Sequence, residues 1–168
     1  MSFAVWLTGL SGSGKSAIAR ELVRLLHERG IDAAVLESDV MRTQLTPFPR
    51  YDEADRDFFY GALADIGAAL AAKRPVIYDA TANRRRYRDA ARVRVARFCE
   101  VYVDTPFDVC RTRDPKGLYR RATMKALPGR GAAYEPPAAP ELVVHGDRDT
   151  PEASAARTVA HLQSRGWV

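Results

Sequence analysis

Short apolar runs alternate with amphipathic stretches along this chain, and the alternation predicts its elements. Residues 3–8 (FAVWLT) form a nearly continuous apolar run and are a strand candidate. Ile18, Leu22, Leu25 and Leu26 then recur at helical spacing over residues 16–29, and Gly30 ends that repeat. Residues 33–36 read as a second strand. Phe58, Phe59, Leu63, Ile66 and Leu70 give residues 55–72 one apolar helical face. Residues 75–79 (PVIYD) and 100–104 (EVYVD) are the third and fourth strands, with a basic helix over 85–97 between them. Pro106 opens another helix, and residues 142–144 make a short fifth strand. The last helix spans 150–164, with Asp149 or Thr150 as N-cap and Pro151 in its first turn.

Strands that alternate with helices imply βαβ units and a parallel sheet. The expectation is one α/β domain over residues 1–168: a three-layer sandwich around a mostly parallel sheet of about five strands. Residues 113–140 interrupt the rhythm. They are rich in Gly, Pro, Arg and Lys and poor in apolar periodicity. A loop of that length in a compact domain is usually functional, so this segment is predicted to be a lid.

Composition narrows the class. The chain has 168 residues, 46% of them hydrophobic and 28% charged, which excludes intrinsic disorder. Two cysteines cannot staple a chain of this size. No apolar run approaches the ~18–20 residues that cross a bilayer, and the first residues lack the pattern of a signal peptide. A cytoplasmic setting without a membrane partner is therefore expected. The net charge is +5, and seven arginines crowd residues 84–97, relieved only by Asp89. Such a cluster fits a nucleic acid, a polyphosphate pocket or a solvated helix face, and charge alone does not separate these.

The chemistry lies between the first strand and the first helix. Gly9-Leu10-Ser11-Gly12-Ser13-Gly14-Lys15-Ser16 fits G-x-x-x-x-G-K-[ST], the P-loop or Walker A pattern, in the strand-to-helix context it requires. Its glycines let successive backbone N–H groups point at phosphate oxygens, and the helix N-terminus adds its dipole. Gly9, Ser11, Gly12, Ser13, Gly14, Lys15 and Ser16 are thus the candidate ATP site. Lys15 would reach the β- and γ-phosphates, and the Ser16 hydroxyl would hold Mg²⁺. No N-K-x-D guanine motif is present, and a small nucleotide or metabolite kinase suits the length best.

The acceptor side is read from strand ends, which line the ligand crevice of an open parallel sheet. Asp39, after the second strand, faces the γ-phosphate as proton acceptor or metal-orienting group. It is the second candidate metal residue beside Ser16. A helix starting there would return Arg42 to the same side, where it can pair with an anion; capping of that helix by Asp39, with an ordinary surface Arg42, is the alternative. Asp79 ends an apolar strand as a Walker B aspartate does and would assist Mg²⁺ through water. Asn83, Arg85 and Arg88 lie in the polar turn and basic helix beyond it. Cys99 and Cys110 are expected to be buried thiols, and His27, His145 and His161 have no metal-ligand spacing.

Residues 113–119, Arg-Asp-Pro-Lys-Gly-Leu-Tyr, resemble a run of the adenylylsulfate (APS) kinase family, as do Glu100-Val101-Tyr102-Val103-Asp104-Thr105-Pro106 and the P-loop itself. Cys110, Tyr134-Glu135-Pro136-Pro137 and Pro140-Glu141-Leu142 extend the resemblance over nearly the whole chain. It implies a Mg·ATP-dependent kinase of sulfate assimilation that phosphorylates the ribose 3′-hydroxyl of APS. Asp39 and Arg42 match the last Asp and the Arg of the family's D-G-D-x-x-R, Lys116 its lid lysine, and Arg113 the arginine near the ATP base. The departures fall on the acceptor side. Glu37 and Ser38 stand for Asp and Gly, and Asp55-Arg56 is followed by Asp57-Phe58-Phe59-Tyr60 where the family carries Asn and paired arginines. Leu127-Pro128-Gly129-Arg130-Gly131 replaces the lid segment with its stacking Phe, which leaves Phe48 as the candidate aromatic. Arg42, Phe48, Arg56, Asn83, Arg85 and Arg88 are therefore the expected acceptor contacts. The resemblance leaves other small hydroxyl acceptors open and ranks a polynucleotide end kinase, and an ATP-binding regulator without transfer, lower. A homodimer is compatible with it.

Overall fold

The computed structural model describes residues 2–120 and 133–168. Its elements are β1 (Ala4–Thr8), α1 (Lys15–His27), β2 (Ala34–Glu37), α2 (Ser38–Leu45), α3 (Glu53–Ala71), β3 (Val76–Asp79), α4 (Arg85–Arg92), β4 (Phe98–Asp104), α5 (Phe107–Arg113), β5 (Leu142–His145) and α6 (Pro151–Ser164). The five strands are ordered β2-β3-β1-β4-β5, and every neighbouring pair is parallel.

Strand alternation divides the core into two layers. On β1, Ala4 and Trp6 face α3 and α4 with Phe59, Leu63, Tyr78 and Tyr87. Val5 and Leu7 face α1 and α6 with Ile18, Leu22, Val159 and Leu162. All of β1 is buried because helices cover both of its faces, the condition that makes a parallel strand read as a solid apolar run. The fold is thus an α/β sandwich with β1 at its centre. The loop that follows β1 therefore opens at the middle of the sheet's carboxyl edge, between strands β3 and β4.

Three boundaries differ from the sequence pattern. α3 begins at Glu53 because the Asp52 side chain caps it, accepting the Asp55 N–H at 2.8 Å. α4 stops at Arg92, short of 97, because Val95 and Phe98 turn into the α3-side core. α2 begins at Ser38, directly after β2, with Glu37 at the N-cap position and no side-chain cap.

The predicted lid is divided. Residues 113–120 form a turn around Asp114, whose carboxylate accepts the N–H groups of Tyr119 and Arg120 at 3.0 and 3.2 Å. Tyr119 is buried against Cys110 and donates its hydroxyl to the Ser11 carbonyl at 2.7 Å, which fastens this end of the segment to the loop after β1. Leu127-Pro128-Gly129-Arg130-Gly131 lies outside the described residues.

Candidate active site

The loop after β1 is shaped by glycine where a side chain would not fit. Gly12 has φ 80°, and a Cβ there would press on the Cys110 carbonyl. Gly14, the N-cap of α1, has φ 109°. The outer flank is braced from the neighbouring strands: Thr105, just after β4, donates its hydroxyl to the Ser13 carbonyl at 2.9 Å, and Gly146, just after β5, packs so closely that a Cβ would overlap that carbonyl. Arg113, the last residue of α5, donates to the Gly146 carbonyl at 2.6 Å and is tied to the same brace.

Lys15 is buried, and its ammonium donates to the Gly9 and Leu10 carbonyls at 3.0 and 2.8 Å. Burial lowers its pKa from 10.5 to about 8; Asp79 opposes the shift and the nearby Lys116 charge adds to it. The next residue, Ser16, donates its hydroxyl to Asp79 Oδ2 at 2.6 Å. Parallel pairing of β1 with β3, which sets Leu7 beside Asp79, brings that carboxylate under the start of α1. Sequence reasoning joined Ser16 with Asp39 as metal residues. Here the partner of Ser16 is Asp79, and Asp39 pairs instead with Lys116. Among the described residues no group of three or more His, Cys, Asp or Glu side chains is placed to hold a metal.

One cavity of about 940 Å³ extends from this loop toward α2 and α3. Ser11, Gly12, Gly14, Lys15 and Ser16 line its end at the glycine loop. Asp39, Arg42, Arg56 and Asn83 line the remainder, and Arg113 and Lys116 reach it from the end of α5 and the segment after it. Gly9 contributes its carbonyl to Lys15, and the buried Ser13 lies behind the loop. Arg42 stands over the Phe59 ring, with its guanidinium carbon 4.0 Å from the centroid, and pairs with Asp55 at 3.5 Å. Its buried Nη1 is the nitrogen that faces Asp55, within ion-pair distance but without a hydrogen bond.

Three expected acceptor residues lie elsewhere. Phe48 is 92% exposed and outside the cavity. The aromatic that lines the cavity is Tyr51, held at φ 59° just ahead of the α3 cap, with Arg42 5.2 Å from its ring centre. Tyr60 joins it one helix face further on. Arg85 donates to the Pro136 carbonyl at 2.6 Å and is also away from the cavity. Arg88 is only 1% exposed and serves as an internal strut: Nε meets Glu100 at 2.6 Å, Nη2 the Glu135 carbonyl at 2.7 Å, and Nη1 the Ala82 carbonyl. Sequence analysis overlooked Tyr51 because its register depends on where α3 starts; its one signal was an aromatic directly before the Asp52 cap.

The family model for adenylylsulphate kinase matches residues 1–145. An adenylyl-sulfate kinase of Halothermothrix orenii is 34% identical over 98% of this chain and 91% of its own length. One from Microcystis aeruginosa is 36% identical, with 98% and 93% covered. The solved APS kinase of Mycobacterium tuberculosis in complex with AMPPNP and APS superposes with a TM-score of 0.87 at 34% identity, covering 96% of this chain and 98% of that one. The shikimate kinase of Aquifex aeolicus, at 19% identity and a TM-score of 0.61, shares the fold.

Proposed function

The chain belongs to the adenylylsulphate kinase family, and we propose from that membership and from its cavity that it transfers the γ-phosphoryl group of ATP to a hydroxyl of adenylylsulfate. The observation that carries this reading is continuity. One cavity joins a glycine loop with a buried lysine to a wall holding Asp39, Arg42, Tyr51 and Arg56.

In this reading the triphosphate replaces the Gly9 and Leu10 carbonyls as the partner of Lys15. The Ser16 hydroxyl and the Asp79 carboxylate, two oxygen donors side by side, fit Mg²⁺, which prefers one or two protein oxygens supplemented by water and phosphate. When bound, that ion would balance charge on the phosphates. The acceptor hydroxyl attacks the γ-phosphorus, a new P–O bond forms, the bond to the β–γ bridging oxygen breaks, and ADP leaves. The hydroxyl proton passes to Asp39. Lys116, paired with Asp39 across the mouth of the site, adds positive charge beside the transferring group. Arg42 and Arg56 take the acceptor's anionic end, and Tyr51 offers a ring to its base.

A second reading keeps the chemistry and changes the acceptor. Tyr60, whose ring lines the cavity, favours it, because the stretch after Asp55-Arg56 lacks the family's Asn and paired arginines. Transfer of ³²P from [γ-³²P]ATP to APS, compared with nucleosides, sugars and hydroxyamino acids, decides between them. Labelled 3′-phospho-APS is the expected product. No label on APS together with label on another hydroxyl compound would overturn the named acceptor.

A further inference from the structure

The cationic side chains that wall the cavity are nearly all committed. Lys15 is held by loop carbonyls and Lys116 by Asp39, Arg42 pairs with Asp55 and Arg50 with Asp52, and Arg113 and Arg56 are engaged as well. Arg20 is the exception. It lines the same cavity, yet among the described residues it makes no hydrogen bond or ion pair. It sits on α1 one turn after Ser16, on the same helical face. Side chains on a helix lean toward its N-terminus, so Arg20 leans over the turn that carries Ser16.

Its approach also differs from that of the other acceptor-side cations. α2 and α3, which carry Arg42 and Arg56, pack on the Trp6 face of the sheet, whereas α1 packs on the Val5 face. A ligand lying in the cavity would therefore meet Arg42 and Arg56 from one side and Arg20 from the other. An uncommitted guanidinium keeps all five N–H donors for a ligand and matches a planar or tetrahedral oxyanion with two parallel hydrogen bonds.

We propose that Arg20 is a specificity-determining residue that binds an anionic group of the acceptor, sulfate or phosphate, from the α1 wall. The inference rests on the reading that the acceptor is an oxyanion-bearing molecule such as APS.

The test is titration calorimetry on the full chain saturated with AMPPNP, comparing the wild type with Arg20→Ala and Arg20→Lys against APS and adenosine. Arg20→Ala should bind APS about tenfold more weakly, the scale of one charge-assisted hydrogen bond. Arg20→Lys should recover part of the loss, and adenosine should bind all three proteins alike. Unchanged APS affinity, or an equal loss for APS and adenosine, would overturn the assignment. If the wild type neither binds nor phosphorylates APS, the acceptor reading fails on its own. Inorganic sulfate titrated into the same AMPPNP complexes then decides Arg20: a loss of about tenfold in Arg20→Ala supports the role, and equal affinity removes it.

Discussion

Burial sets the state of Lys15. Its pKa falls to about 8 because the ammonium has left water for carbonyl partners. An unfolded lysine holds its proton to about 10.4, so between these values the unfolded chain carries the extra proton and stability rises with pH. Lys15→Met should remove that rise, which amounts to roughly 3 kcal/mol at most. Urea denaturation of both proteins from pH 7 to pH 10.5 measures it, and parallel curves would contradict it. Nucleotide phosphates reverse the balance by restoring a counter-charge, so AMPPNP binding above pH 8 should take up a proton. Calorimetry in buffers of different ionisation enthalpy reads that uptake directly. Asp79 acts on the same scale: Asp79→Asn keeps a hydrogen-bonding group for Ser16 but loses the charge. The magnesium concentration for half-maximal transfer should then rise by about tenfold or more, whereas an unchanged requirement would clear Asp79 of a metal role. The glycine-lysine motif was legible letter by letter because its chemistry is local. Asp79 was legible as a Walker B-like strand end, but its direct bond to Ser16 was not, because that follows from β1 lying beside β3, a register no local pattern carries.

Among the elements, α4 shows most clearly why periodicity misleads. Its inward face is Tyr87, Arg88 and Ala91, so a reading that counts apolar positions takes it for a solvated basic helix. The structure uses its arginines in packing: Arg86 meets Glu53 and Asp57 of α3 and Arg92 holds Glu141 at 2.5 Å, while Arg94, just past the helix, meets Asp65 of α3. Arg88 is the innermost, and removing it would strand the buried Glu100 carboxylate. Arg88→Met should therefore cost about 3–5 kcal/mol, read as a lower urea midpoint. A loss below 1 kcal/mol would mean that water or Arg92 replaces it. The neighbouring α3 is governed by shape. A Cβ at Gly67 would overlap the Tyr78 hydroxyl, and that hydroxyl is buried without a hydrogen-bond partner. Gly67→Ala should destabilise by about 1–3 kcal/mol through overpacking. Tyr78→Phe alone should be neutral or stabilising. In the double variant it should return only part of the loss, because the ring carbon Cζ would still overlap the added Cβ. Strictly additive losses would rule out this contact as the cause. Strand and helix types were legible because β1 and β3 are buried on both faces and α1 on one. Helix ends were not, because Asp52 and Val95 act through a cap and a core contact rather than through a repeat.

For the whole molecule, the question is where a net charge of +5 makes itself felt. Arginine content alone would assign it to α4 and hence to a polyanion such as a nucleic acid. The ion pairs of α4 with α3 and Glu141 neutralise that helix, while the cavity wall keeps Lys15, Arg20, Arg42 and Arg56 facing the space between the glycine loop and α3. An external polyanion should therefore compete with the nucleotide for the cavity rather than occupy a separate face. Fluorescein-labelled single-stranded oligonucleotide at low salt should bind weakly, lose affinity steeply as salt rises, and be displaced by Mg·ATP. Replacing Arg86 and Arg94 together by Gln should leave that binding unchanged, because Arg86 already faces Glu53 and Asp57 and Arg94 already faces Asp65. Binding that survives saturating Mg·ATP and vanishes in the Arg86→Gln, Arg94→Gln protein would place a nucleic-acid surface on α4. The positive charge would then serve two ligands rather than one phosphoryl transfer.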